Sequence, residues 1–157
     1  MKSGKIHTYK TNIKWEGNLG NGTTNYQSYS RDYVVQIEHK SPLFGSSDAA
    51  FRGDYTKYNP EDMFLSSVSA CHMLWYLHLC AEAGVVVTDY QDNAIGKMEE
   101  TTLGSGKFVE ITLFPRVTVA DNSMMEKAKQ LHQQANAFCF IANSLGFPVH
   151  HEATILV

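Results

Sequence analysis

Cysteine has the widest reaction range of any side chain in this 157-residue sequence, and there are three: Cys71, Cys80 and Cys139. Cys71 lies in Ser69-Ala70-Cys71-His72 and Cys139 in Ala137-Phe138-Cys139-Phe140, each beside apolar residues. Free cysteines in such settings are most often small core side chains, and spacing alone favours that reading for both. The chemical alternative is a redox pair. Two helices packed about 8–10 Å apart can bring a cysteine from each into bridging range. Cys80 follows Cys71 by nine residues, so on one helix it points roughly 180° away and sits roughly 13 Å along the axis. It cannot bond Cys71 within that helix.

A reactive thiol needs a positive charge to hold it as thiolate, and arginine keeps its charge when partly buried. The chain has three arginines. Arg31, in Tyr29-Ser30-Arg31-Asp32-Tyr33, and Arg52, in Phe51-Arg52-Gly53-Asp54, are equally good candidates on chemistry alone, while Arg116 follows Pro115 at a strand edge. Glu61 precedes Cys71 by ten residues. On one straight helix that is roughly 15 Å, too far for the glutamate to tune the thiol of its own chain. Cooperation would need an interface, such as a two-fold pairing of helices that sets Glu61 of one chain beside Cys71 of the other. The plainer role for Glu61 is a first-turn carboxylate facing solvent.

Seven histidines raise the question of a metal. His150 and His151 alternate faces on a strand, His72 and His78 are poorly spaced for shared ligation, and no Cys-x-x-Cys or His-x-x-x-His occurs, so no metal is expected. A cysteine hydrolase would need a histidine aimed at the thiol, and His72 diverges from its neighbour Cys71 on a helix.

The elements that must position these residues follow from local signals. Ile6 to Trp15 reads as a strand, Asn21-Gly22 as turn chemistry, and Tyr26 to His39 as the returning strand of an N-terminal hairpin. Ser41 to Tyr58 reads as a long ordered loop, of the kind that often carries function. Asn59-Pro60-Glu61-Asp62 starts a helix that should run to about Ala83 and stop at Gly84. Fifteen of the 24 residues from Pro60 to Ala83 are apolar or cysteine, too many for one stripe, so this central helix should be buried on several sides. In so short a chain that points to a partner subunit. Strands are expected from Val85, near Tyr90 to Thr101, and near Lys107 to Val119, the latter two joined by Gly104-Ser105-Gly106. Asp121-Asn122-Ser123 should cap a second helix to about Leu145, carrying Cys139 near its end, and Val149 to Val157 a final strand. The order is that of an α+β fold.

The length suits a single domain over residues 1–157, or one subunit of something intertwined. A net charge of -3 offers no basic footprint for nucleic acid or an anionic membrane. The odd cysteine count argues against a secreted disulfide framework. Residues 1–15 have no apolar segment after the lysines, and no apolar run is expected to reach membrane-spanning length. The expectation is a cytoplasmic protein without a membrane partner.

Asn59-Pro60-Glu61, ten residues to Cys71, Gly84 closing the helix, and Cys139 followed by Asn143-Ser144 together resemble the family of osmotically inducible protein C (OsmC) and the organic hydroperoxide resistance (Ohr) proteins. The resemblance runs from about Tyr26 to the C-terminus. It implies that Cys71 is the peroxidatic cysteine, Cys139 the resolving one, Arg31 the active-site arginine and Glu61 its carboxylate partner. It also implies an intertwined α+β homodimer, with buried central helices, a second helix packed on antiparallel strands, and two interfacial sites. The activity implied is thiol-dependent reduction of organic hydroperoxides in oxidative stress defence. No bound cofactor is implied, and the reductant is an external dithiol, a lipoyl group being one candidate. Ser30 and Tyr33 replace glycines that flank the arginine in Ohr-like members, and His72 stands where Phe is common, which marks a divergent OsmC-like branch. A rival of another class is a non-enzymatic dimer that binds a small hydrophobic ligand and whose cysteines are inert.

Overall fold

The computed structural model describes residues 4–157 and contains two compact units, residues 1–63 and 64–157. The first three residues of the N-terminal stretch, part of the segment read above as lacking a leader, lie outside the described residues.

In the first unit, strands β1 (Asn12–Trp15), β2 (Tyr33–Gln36) and β3 (Leu43–Gly45) form an antiparallel sheet in the order β1-β2-β3. The expected hairpin is present, with Trp15 opposite Tyr33 and Asn12 opposite Gln36. Both strands are shorter than the sequence suggests. Residues 16–32 form an ordered connection in which Asn18 Oδ1 accepts the backbone N–H groups of Gly20 and Gly22, and the Trp15 indole donates to the Ser30 carbonyl. The segment read as a loop supplies β3 and a 3-10 turn at Ala49–Phe51, capped by Asp48. Gly45 leaves room for the Tyr33 ring across the pair, which a Cβ at that position would displace.

Helix α1 (Pro60–Glu82) begins at the expected cap. Asn59 Oδ1 accepts the Asp62 N–H at 2.7 Å, and Asp62 Oδ2 accepts the Asn59 N–H at 3.3 Å, a reciprocal arrangement that satisfies two otherwise orphaned donors. It ends at Gly84, whose φ of 71° places it in the left-handed region. Contrary to the sequence expectation, α1 is long and apolar enough to cross a membrane by length and composition alone. The buried residues of α1 form a single stripe, Val68, His72, Tyr76 and Cys80, at four-residue spacing. Its other apolar side chains, Leu74 among them, are left wholly or partly exposed in the single chain.

In the second unit, two expected strands are each broken in two, and the halves join different sheets. Strand β4 (Val87–Asp92) pairs antiparallel with β7 (Pro115–Val119), and β5 (Ile95–Glu100) with β6 (Gly106–Leu113). The break is held by Asp92. One of its oxygens accepts the Phe114 N–H, released from the ladder between β6 and β7, at 2.7 Å, and the other accepts the Ser69 hydroxyl of α1. The final strand is likewise split into β8 (Val149–His151) and β9 (Thr154–Leu156). These pair parallel, not antiparallel, with β6 and β7, completing the orders β5-β6-β8 and β4-β7-β9.

Helix α2 (Met125–Phe138) follows a short turn capped by Asp121, and it ends seven residues before the expected Leu145. Cys139 therefore caps the helix in extended conformation, with φ -65° and ψ 107°. The turn is stabilised by the Asn143 side chain, which donates to the Ala137 carbonyl, and by the Asn143 N–H, which donates to the Cys139 carbonyl. Two buried clusters fill this unit. Tyr76, Cys80, Val117, Val119, Ala128, Leu131 and Ala135 join α1, β7 and α2, while Val68, Ile111 and Leu113 pack with Phe64, Phe108 and Phe147.

Candidate active site

The two thiols singled out by the sequence meet in the second unit. Cys71, half-buried on α1 next to His72 of the core stripe, lies beside Cys139, which is fully buried at the end of α2; neither forms a disulfide. Burial, and then the adjacent Cys71 side chain, push the Cys139 thiol up to about 11. The Ala142 N–H donates to the Cys139 sulfur at 3.4 Å and acts weakly in the opposite sense. Burial thus keeps the proton on Cys139 beside the Cys71 sulfur. Cys80 is buried in the core with its thiol pKa raised by desolvation, as an inert core cysteine should be.

Aromatic side chains that neighbour this pair in sequence, one from α1 and two from the end of α2, meet one another. Trp75 lies one turn beyond Cys71 and stacks on Phe138 at 5.3 Å between ring centroids, with Phe140 edge-on at 5.5 Å. Phe138 and Phe140 flank Cys139 in sequence and remain exposed in the single chain. The flanking phenylalanines were visible in the sequence, but their meeting with Trp75 was not.

A buried histidine cluster also escaped sequence reasoning. His72 Nε2 and His132 Nδ1 share a hydrogen bond of 3.0 Å, both residues are 1% exposed, and the His151 ring lies 5.7 Å and 5.9 Å from theirs. Burial, and then the neighbouring His151, lower His72 to about 4; burial, and then His72 and His151, lower His132 to about 3. Both are neutral at pH 7. No spacing rule links residues 60 positions apart, so no sequence signal could have paired them. Among the described residues, no group of three or more His, Cys, Asp or Glu is arranged to hold a metal ion.

Arg31 and Glu61 belong to the first unit. The Arg31 guanidinium donates to the carbonyls of Tyr29 and Tyr26 at 2.7 Å each, and it lies over both tyrosine rings at 4.2 Å and 4.3 Å. Among the described residues no ion pair joins it to Glu61. Glu61 sits half-buried in the first turn of α1, close enough to Tyr33 to raise its phenol pKa, after burial. Arg52 is exposed, with a left-handed φ of 66° at the end of the 3-10 turn, and its guanidinium is 5.9 Å from the Tyr26 ring.

The family model for OsmC-like protein matches residues 53–154, and the chain belongs to that family. No curated protein is similar enough in sequence to count as a match. Among solved structures, an OsmC-like protein of unknown function from Vibrio cholerae is 25% identical with a TM-score of 0.85, covering 95% of this chain and 100% of its own. An organic hydroperoxide resistance protein from Elizabethkingia anophelis is 16% identical with a TM-score of 0.69, covering 99% of both chains. An organic hydroperoxide resistance protein from Legionella pneumophila is 16% identical with a TM-score of 0.64, covering 97% of this chain and 100% of its own. The last two likenesses establish the shared α+β fold. The family is thus one linked, in some of its members, to organic hydroperoxide resistance.

Proposed function

We propose that this protein is a cytoplasmic thiol peroxidase that reduces organic hydroperoxides, acting as a homodimer in oxidative stress defence. The observation that carries the reading is the juxtaposition of a fully buried Cys139 with a half-buried Cys71. A buried thiol that keeps its proton beside a more exposed sulfur divides the labour: Cys71 is the nucleophile and Cys139 the resolving thiol.

In the first step the Cys71 thiolate attacks the distal peroxide oxygen. An S–O bond forms, the O–O bond breaks, and the alkoxide takes up a proton and leaves as alcohol, with Cys71 oxidised to sulfenic acid. Cys139 then attacks the Cys71 sulfur. The S–S bond forms as the S–OH bond breaks, and the hydroxyl leaves as water with the Cys139 proton. An external dithiol reduces the disulfide by exchange through a mixed disulfide. Arg31 serves as the cation that stabilises the thiolate and Glu61 as the carboxylate that orients it, roles supported by their match to the family motif. Trp75, Phe138 and Phe140 beside the thiols favour an organic over an inorganic peroxide.

The test is the mass of the protein after one equivalent of an organic hydroperoxide. Loss of two hydrogens, mapped to a Cys71–Cys139 bridge and reversed by a dithiol, supports the reading. An unchanged mass, with a Cys71 thiol that resists alkylation until unfolding, overturns it and favours an inert ligand-binding protein.

A further inference from the structure

We propose that the buried His72–His132 hydrogen bond is a positioning device for the thiols, setting the one placement of α1 against α2 in which Cys71 and Cys139 can form a disulfide. This inference rests on the redox reading of those two cysteines.

The same two segments are linked twice. His72 follows Cys71 directly on α1, and His132 lies seven residues before Cys139 on α2, so each segment presents one histidine and one cysteine to the other. The imidazole planes are within 5° of parallel and the Nε2···Nδ1 distance is 3.0 Å, so the shared proton lies in the common ring plane. Tyr76 stacks on His132 at 3.9 Å between ring centroids, and His151 of β8 packs against both imidazoles.

Apolar contacts alone let two helices slide by an ångström or so at little cost. A hydrogen bond in a dry interior does not, because its strength falls steeply with angle and no water can replace a lost partner. A disulfide has similarly narrow demands, with Cβ atoms about 3.5–4.5 Å apart. The histidine bond converts a permissive helix contact into one fixed registration. Its outer nitrogens, His72 Nδ1 and His132 Nε2, are buried without a partner, so the pair is held in place at a desolvation cost that an apolar pair would avoid.

The experiment measures the equilibrium constant of the Cys71–Cys139 disulfide in a dithiothreitol or glutathione buffer, on the full chain at pH 7. His132→Asn places an amide near the Nδ1 position and should keep the constant within about twofold of the parent, whereas His132→Gln misplaces the amide and should lower it about tenfold. The apolar pair His72→Phe with His132→Leu leaves no buried polar orphan, so it should keep the thermal midpoint and still lose about tenfold in the constant. Equal constants in the parent and the apolar pair, or equal losses in His132→Asn and His132→Gln, would overturn the inference while leaving the redox reading intact. A parent protein that forms no Cys71–Cys139 disulfide under any redox buffer would overturn both.

Discussion

The Cys139 thiol, fully buried where α2 ends, lies beside the half-buried Cys71 of α1, and burial, then the Cys71 side chain, raise its pKa to about 11. The two sulfurs are thus unequal before any reaction, and the inequality can be tested.

Cys71→Ser should abolish hydroperoxide turnover with a dithiol reductant. Cys139→Ser should permit one turnover to a trapped sulfenic acid, seen as a gain of one oxygen by mass, and no intramolecular bridge. Steady turnover in the Cys71 variant would refute the assignment.

Alkylation should separate the thiols by pH. Cys139 should stay unmodified near neutral pH and gain reactivity only as the pH approaches about 11, which peptide mapping after timed iodoacetamide exposure would reveal. Rapid labelling of Cys139 at pH 7 would contradict its burial.

Acid should destabilise the fold through the histidine pair. The folded pKa values, about 4 for His72 and about 3 for His132, lie below the ordinary 6.5, so the unfolded chain binds protons that the native chain refuses. Stability from these groups is complete above pH 6.5 and is lost as the pH falls toward 4 and then 3. Denaturant midpoints from pH 7 to 4 should fall in the parent and fall less in the His72→Phe, His132→Leu variant; parallel curves would refute it.

A shared site predicts complementation. Mixing Glu61→Ala with Cys71→Ser subunits should restore about one working site per heterodimer, because one of its two sites takes both intact residues. Activity no greater than the sum of the separate variants would place each site within one chain.

The Asn59 cap should be worth about 1 kcal/mol, since Asn59→Ala frees the Asp62 N–H and ends the reciprocal bond. Chemical denaturation measures this directly, and a loss below about 0.3 kcal/mol would show that solvent satisfies the donor equally well.

Where structure follows from neighbours in the chain, the residues announced it. The bonds that open α1 at Asn59 and the left-handed Gly84 that closes it span a few residues, so their chemistry is legible in order, as is the hairpin of β1 and β2. The α+β class and the family motif followed from the same local signals. The early end of α2 depended on an Asn143 side chain reaching back to Ala137, a contact that competes with helix and has no periodic signature. The split strands depended on Asp92 taking the freed Phe114 N–H from 22 residues away. The sequence by itself determined which residues can do chemistry and which elements carry them. Tertiary structure alone decided that Cys139 meets Cys71 from a helix end and that His72 finds His132. Partners distant in the chain are selected by packing and by the cost of burying an unpaired polar group, and neither leaves a pattern in residue order.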